Sequence, residues 1–552
     1  MAGDEDLNII KNRRVRWKPG VFLLVLTPVC VLSAWFITRM LADGDRTIQM
    51  TVAIIALVVM IVLQAIWWLA FARLSWRGWL VGICGLLLVA GASASILRID
   101  GYRGEMLPIL AFRWDPTPQE RVAAYFREAG QAESSKIADE PVVIEEGDWP
   151  QYRGPNRDGI VSDVEIPTDW NENTPRVVWK HPCGLGWSSF AVVGNRLFTQ
   201  EQRGEEELVV CYAAATGNQL WIHEDPVRFS EALGGDGPRA TPTIANGRVY
   251  ALGATGLLNC LDAATGEQIW ERDILTDAGD GKRVENIPWG MAGSPVVWEG
   301  RVYVVPGGEQ DREVIAYNAE SGEIAWAAGD GAASYAAPRI ETIGGTPQLL
   351  VFDKDGLQSF DPETGDVLWS YGPIKNTAGV NAAQPIVVGD HIFISSGYGV
   401  GSALLKITKS KAKWSVEEIW RHDNEFKLKF NDAVLHEGYL YGLDEGILAC
   451  YEFDSGERQW KRGRYGYGQV ILFGDVLVLL AEDGTLAAIR PTPEEFKELA
   501  RIPVLDGKTW NHPAYAHGFL YVRNDREMAC LDLGIGGDGG SGDGEAGGAE
   551  VR

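Results

Sequence analysis

Apolar and polar positions divide this chain sharply. Between about residues 21 and 97 hydrophobic residues dominate in long runs. From Asp148 onward they come in short alternating bursts separated by glycine. The apolar part holds three runs, at 21–41, 50–71 and 79–97. Each is about long enough to span ~30 Å of hydrocarbon at ~1.5 Å of helix per residue, so the pattern predicts three transmembrane α-helices. Trp17, Trp35, Trp67, Trp68, Trp76 and Trp79 cluster near the ends of these runs, where indoles anchor at the membrane–water interface. Pro28 is placed to kink the first span and Arg39 to snorkel from its end. Lys11, Arg13, Arg14, Arg16, Lys18, Arg73 and Arg77 flank one side; Arg39, Arg46, Arg98, Arg103 and Arg113 flank the other. That bias puts a basic N-terminus, residues 1–20, in the cytoplasm and everything after Leu97 outside it. No span carries a carboxylate or histidine, so the segment reads as an anchor rather than a transport path.

Residues 98–147 read as a linker with one short helix, starting at Thr117-Pro118-Gln119-Glu120. That tetrad has the form of a capping box with proline at the first helical position. Beyond it the polar pattern repeats. Ala263-Ala264-Thr265-Gly266-Glu267-Gln268-Ile269-Trp270 is echoed by Ala214-Ala215-Thr216-Gly217-Asn218-Gln219-Leu220-Trp221. Shorter echoes end at Trp326, Trp369 and Trp460, and a longer one at Trp420. An alternating strand precedes each turn, and before it stand two strands about an Asn-Gly turn, as in Thr241–Tyr250. Inner strands start near Ser188, Thr241, Ser294, Ala337, Gln384, Asn431, Gly468 and His512. Eight units of four short antiparallel strands predict an all-β, eight-bladed β-propeller over 148–533. The eighth unit stops at Asp532 before its tryptophan strand, and Val177-Val178-Trp179 is available to complete it and close the ring. Blade 7 departs from the pattern: Ala500 takes the tryptophan position, and Thr492-Pro493-Glu494-Glu495 predicts a short capped helix.

Composition sharpens this picture. The chain has 552 residues and a net charge of -25, which argues against a nucleic-acid phosphate binder. Of its 21 tryptophans, Trp179, Trp221, Trp270, Trp326, Trp369, Trp420 and Trp460 share one repeat position, where a large flat ring is expected to dock on the neighbouring blade. The seven cysteines include no CxxC and no vicinal pair. Cys211, Cys260, Cys450 and Cys530 occupy one equivalent position, held by Ala316 and Ser359 in other blades, so they read as small buried hydrophobes. Residues 534–552 are glycine-rich and acidic, the composition of a disordered tail.

The unit L/V-x-x-L-D-A-x-T-G-x-x-x-W resembles the repeat of the PQQ-binding-like β-propeller proteins. These include the pyrroloquinoline quinone dehydrogenases and an outer-membrane assembly factor with the same propeller. Asp148-Trp149-Pro150-Gln151-Tyr152-Arg153-Gly154-Pro155-Asn156-Arg157-Asp158-Gly159 and Gly507-Lys508-Thr509-Trp510-Asn511-His512-Pro513 resemble a narrower group abundant in planctomycete-type bacteria. The resemblance implies a quinone held with Ca²⁺ on the propeller axis in the dehydrogenases, but no calcium-ligand set and no catalytic aspartate align here.

In a propeller, the residues entering the inner strands rim the axial mouth, where ligands bind. The expected rim comprises Trp187, Ser188, Arg239, Trp289, Tyr335, Asn381, Gln384, Asn431, Asp432, Tyr467, Gln469, Trp510, Asn511 and His512. Aromatic, amide and charged groups there suit a flat polar ligand or a sugar. Arg239 is the anion partner, and Asp432 and His512 are the acid–base candidates. The segment 148–159 reads as a structural brace, with Arg153 and Arg157 capping blade carbonyls. Leu233-Gly234-Gly235-Asp236-Gly237 lacks the Gly-Lys-Ser/Thr ending of a phosphate loop. The expected function is a membrane-anchored extracytoplasmic propeller that binds a small polar ligand or a protein partner without catalysis, with no assigned cofactor or metal. The alternative is a PQQ- and Ca²⁺-dependent dehydrogenase of sugars or alcohols.

Overall fold

The computed structural model describes residues 17–41, 46–70, 76–129, 140–162, 164–308, 310–374, 376, 378–411 and 413–534. The basic N-terminus up to residue 16 and the acidic tail from 535 lie outside the described residues. Helices Trp17–Leu41, Arg46–Ala70 and Trp76–Ile96 follow the three apolar runs. Among the described residues one segment, Gln49–Trp67, is by length and composition long and apolar enough to cross a membrane, so the three expected spans are not all matched. The apolar stretches Phe22–Thr38 and Leu80–Ile96 are shorter. Pro28 lies inside the first helix.

The region expected to be a linker also contains a β-hairpin. Leu97–Tyr102 pairs antiparallel with Pro108–Phe112, with Ile99 opposite Leu110. Helix Pro118–Ala129 follows. Its capping box is closed: the Thr117 amide donates to Glu120 Oε2 at 2.7 Å, and the Glu120 amide donates to Thr117 Oγ1 at 3.1 Å.

Eight sheets then form the propeller. The first strands of blades 1 to 8 are Ala191–Val193, Thr243–Ala245, Val296–Trp298, Arg339–Ile343, Ile386–Val388, Val434–His436, Gln469–Phe473 and Ala514–Ala516. Each blade runs outward through three further antiparallel strands. Blade 8 takes its outermost strand from Arg176–Pro182, which pairs with Glu527–Asp532 and sets Trp179 opposite Cys530. The ring is thus sewn shut by a strand from its other end, which removes a free edge. Blade 7 gains a fifth strand on its inner side, Ile160–Val161, parallel to Gln469–Phe473. The helix expected at Thr492 is absent: the chain passes through bends into strand Lys497–Pro503. The Thr492 carbonyl accepts a hydrogen bond from Trp460 Nε1 at 2.8 Å, and the following residues complete the sheet, with Ala500 opposite Ala488.

The repeat signature has a physical cause. In six blades the tryptophan Nε1 donates to a carbonyl of the next blade at 2.8–3.2 Å: Trp179 to Ala214, Trp221 to Ala263, Trp270 to Ala319, Trp326 to Pro362, Trp420 to Phe453 and Trp460 to Thr492. In five of these junctions the turn glycine of the next blade lies against the indole. A Cβ on Gly217, Gly266, Gly322, Gly365 or Gly456 would stand 2.6–2.9 Å from the ring. Those glycines also have φ between +70° and +81°, a conformation costly for other residues. Blade 5 replaces the turn with the long hairpin Gly401–Ser410 and Lys413–Asp423. Trp369 accordingly donates to Gln348 Oε1 of its own blade at 2.7 Å. Cys211, Cys260, Ala316, Ser359, Cys450 and Cys530 each stand opposite a blade tryptophan and are buried. Burial pushes the Cys260 thiol up to about 11 and those of Cys450 and Cys530 to about 12, so they stay protonated.

Candidate functional site: the axial cavity

A cavity of about 230 Å³ occupies the propeller axis. Its floor is the segment 148–159. Arg153 donates to the carbonyls of Asp158 (2.6 Å) and Ala433 (2.7 Å), reaching blade 6. Arg157 donates to those of Ser294 and Pro295, both at 3.1 Å, reaching blade 3. Trp149 exchanges backbone hydrogen bonds with Val192 of blade 1, and the Pro150 carbonyl accepts from Ile244 of blade 2. The motif's glycines are required by this packing: a Cβ on Gly154 would lie 2.7 Å from the Trp149 ring, and one on Gly159 would lie 2.9 Å from the Arg153 guanidinium. Tyr152, from the same segment, presents its ring to the cavity and donates to Asp432 Oδ2 at 2.6 Å.

The roof is the hairpin. Tyr102, Arg103, Gly104 and Met106 line the cavity from the turn that joins its strands. The turn is fastened by the Gly104 amide donating to Glu482 Oε1 at 2.6 Å and by Glu105 facing Arg464 at 3.3 Å. The close approach of Gly104 to the Tyr467 ring leaves no room for a side chain.

The walls are aromatic. Trp187 and Trp510 pack with ring centroids 4.8 Å apart, and Phe430 lies 4.8 Å from Trp510. Across the ring Trp289 contacts Tyr335 (5.5 Å) and Tyr398 (6.1 Å). Trp187 Nε1 is fixed to the Gly234 carbonyl at 2.7 Å and Trp510 Nε1 to Glu482 Oε1 at 3.1 Å. Lys508 lies beneath both indoles, 4.5 and 4.1 Å from the ring centroids of Trp187 and Trp510, and burial brings its ammonium down to about 8.

Polar groups are few and fixed. Arg239 donates to the carbonyls of Gly235 and Gly237 and lies over Phe229, and the nearby carboxylates of Glu207, Glu231 and Asp236 act on its charge. Burial lowers its guanidinium to about 10, so it remains a cation at neutral pH. Lys429 also lines the cavity, with Tyr467 at 3.2 Å and Glu445 at 3.6 Å. Gln469 spends its amide hydrogens on the carbonyls of Phe430 (3.1 Å) and Trp510 (2.9 Å), which fixes its orientation and leaves Oε1 without a partner. His512 Nδ1 lies 2.7 Å from the Pro513 carbonyl, so it carries the proton, and Nε2 is buried. Burial, and then the nearby Arg153, hold the ring at about 4, so it is neutral.

Of the expected rim, the structure brings Trp187, Arg239, Trp289, Tyr335, Gln469, Trp510 and His512 to this one cavity. Asn381, Gln384, Asn431, Asp432 and Asn511 are not among its lining residues and are buried in strand-entry contacts. Asn381 donates to the Asp353 carbonyl, Asn431 to that of Leu443 and Asn511 to that of Ser188. The Gln384 amide donates to Asp432, which also faces Arg153 at 3.5 Å. Sequence reasoning missed the roof residues and Tyr398, Lys429 and Phe430. The two glycines of Gly101-Tyr102-Arg103-Gly104 between β-like runs were the available sign of the roof turn. The glycine run at 233–237 belongs to the wall: Leu233 and Gly234 line the cavity, and Gly235 and Gly237 hold Arg239.

A calcium ion of the kind the resemblance implies does not fit here. Ca²⁺ takes six to eight oxygen ligands, carboxylates among them. No aspartate or glutamate is among the lining residues, and no group of three or more His, Cys, Asp or Glu among the described residues could hold a metal. The neighbouring carboxylates of Asp432, Glu445 and Glu482 are engaged by Tyr152, Tyr467 and Trp510.

Eight blades, five of their junctions carrying tryptophan–glycine contacts, close around one axis as an eight-bladed β-propeller. Its backbone superposes on the quinohemoprotein alcohol dehydrogenase from Comamonas testosteroni with a TM-score of 0.52 over 79% of this chain and 87% of that one, at 14% identity, which shows the shared fold. The family model described as outer membrane protein assembly factor BamB matches residues 162–273 and 205–462, more than half of the chain, and the chain belongs to that family. It is 23% identical over 259 residues to the outer membrane protein assembly factor BamB of Moranella endobia, covering 45% of this chain and 63% of that protein. It is 25% identical over 316 residues to the dehydrogenase subunit of a quinone alcohol dehydrogenase from Gluconacetobacter polyoxogenes, covering 52% of this chain and 38% of that one. The chain thus spans less than two thirds of the length of either relative.

Proposed function

We propose that this protein is a non-catalytic binding propeller, tethered by three N-terminal membrane spans and held on the extracytoplasmic face of the cell membrane. Its axial cavity takes a small, flat, polar ligand such as a sugar ring bearing an acid group. The observation that carries this reading is the cavity wall. It offers indole and phenol rings for stacking, the cation of Arg239, and no carboxylate among its lining residues. The faces of a sugar ring would stack on the indoles and an acid group would face Arg239. Asp432 is held by Tyr152, Arg153 and Gln384 away from the cavity lining, which disfavours a general-base role. The name of the BamB relatives favours a second reading, a scaffold for a protein partner.

The test is calorimetric titration of the full chain in lipid nanodiscs with glucuronate, and separately with PQQ with and without Ca²⁺, alongside dye-reduction assays with sugars and alcohols. The expected outcome is glucuronate binding without Ca²⁺ dependence, weakened at least tenfold by Arg239→Gln (about 1.5–3 kcal/mol for a charge-assisted contact), and no dye reduction. Stoichiometric Ca²⁺-dependent PQQ binding with dye reduction would establish the dehydrogenase instead.

A further inference from the structure

The hairpin that roofs the cavity has a second face. Its first strand, Leu97–Tyr102, continues directly from helix Trp76–Ile96. The returning strand is tied back to the helix end: the Arg113 amide donates to the Ile96 carbonyl at 2.9 Å, and Arg113 Nε donates to that of Ala94 at 2.6 Å. Ile99 and Leu110 stand opposite one another on the ladder and both are more than half exposed. Phe112, exposed as well, is stacked face to face with Trp114 at 4.8 Å and 6°. The neighbouring Arg98 is neutralised by Asp100 at 2.6 Å. Four large apolar groups, two of them aromatic, thus form one exposed patch continuous with the end of an apolar helix. Large contiguous apolar patches on a protein surface mark an interaction site, and aromatic groups at this height above a span favour the headgroup region.

We propose that Ile99, Leu110, Phe112 and Trp114 lie in the lipid headgroup–acyl boundary, so that the bilayer surface covers this patch and the hairpin turn holds the roofed mouth of the axial cavity against the membrane. The proposal rests on the third apolar helix being membrane-spanning, as proposed above. One side of a single hairpin meets lipid while its turn, through Gly104 and Glu105, is fastened to blades 6 and 7 at Arg464 and Glu482. The roofed mouth therefore faces the bilayer rather than bulk solvent.

Single thiols test this in the full-length chain in nanodiscs. The five propeller cysteines are buried and will not label; Cys30 and Cys84 are the two in the apolar helices. An environment-sensitive fluorophore is placed on Leu110→Cys in a Cys30→Ser, Cys84→Ser background, on native Cys84 in a Cys30→Ser chain, and on Glu320→Cys, in a surface turn of blade 3, as a solvent control. The Leu110 label is expected to be blue-shifted, quenched by lipids carrying a nitroxide just below the headgroup, and shielded from iodide. The Cys84 label is expected to be quenched by a nitroxide deep in the acyl chain, and the Glu320 label by iodide alone. If Cys84 is lipid-quenched while Leu110 is open to iodide, the patch does not meet lipid and the proposal falls while the span stands. If Leu110 is shielded from iodide yet untouched by either lipid nitroxide, protein covers it and the proposal also falls. If Cys84 meets no lipid, the spanning reading fails and takes the proposal with it.

Discussion

Replacing Gly266 with alanine measures what holds adjacent blades together. Gly266 has φ +77°, and a Cβ there would stand 2.6 Å from the Trp221 ring. That ring cannot retreat freely, because its Nε1 is tied to the Ala263 carbonyl at 3.2 Å and the side chain is buried. The substitution therefore carries two costs. The left-handed backbone costs an alanine about 1–2 kcal/mol, and the forced overlap in a packed interface adds about 1–3 kcal/mol. Gly300 separates them: it has φ +74° at a blade turn, with nothing within 4 Å of an added Cβ. Gly300→Ala should thus lose only the backbone part, about 1–2 kcal/mol. Urea unfolding of the full chain in detergent, followed by tryptophan fluorescence, should order the midpoints as parent, Gly300→Ala, then Gly266→Ala. Coincident midpoints for the two variants would show that the tryptophan–glycine contact does not lock the blades, and would refute this account of the repeat.

The remaining predictions concern buried charge. Arg153→Met should destabilise by about 3 kcal/mol in the same urea assay, because it leaves Asp432 without its buried cation and the Ala433 carbonyl without a donor. Burial raises the Glu207 carboxyl from 4.5 to about 7. A folded-state value above the unfolded one stabilises at low pH and loses that contribution as pH climbs, so stability should fall between about pH 4.5 and 7, by about 3 kcal/mol in total at ~1.4 kcal/mol per unit. Glu207→Gln should remove that slope in paired thermal melts across the range. His512 shifts the other way, from 6.5 to about 4, so its contribution is complete above pH 6.5 and is lost as pH falls toward 4. NMR of a selectively labelled histidine ring at 512 should show a neutral Nδ1–H tautomer at pH 6, and a titration near 6.5 would contradict the buried geometry.

The number of blades, their closure and their tryptophans were legible along the chain for a physical reason. Each blade is four strands joined by short turns, so its hydrophobic period and its Thr/Ser-Gly…Trp turn recur locally, and each blade docks only on its neighbour. Even the closing strand left a trace, a tryptophan strand at one end of the array and a missing one at the other. The local signal misled at Thr492, where a good capping sequence is overruled because the carbonyl of that residue and the following strand are both needed by the blade. It was silent about Trp369, whose partner changes because blade 5 extends its hairpin.

What only the tertiary structure decided is the cavity. Its roof joins Gly104 to Glu482 across 378 residues, and its floor joins Arg153 to Ala433 across 280. Such contacts follow no period, because they connect segments outside the repeat to whichever blades ring closure brings opposite them. The same closure divides the inner-strand entries. Gln469 and His512 line the cavity, whereas Asn381 and Asn431 sit behind it in hydrogen bonds to blade carbonyls. Residue type and spacing specify that a polar side chain stands at the start of a strand. Whether it meets a ligand or a neighbouring backbone depends on the radial position the assembled ring gives it.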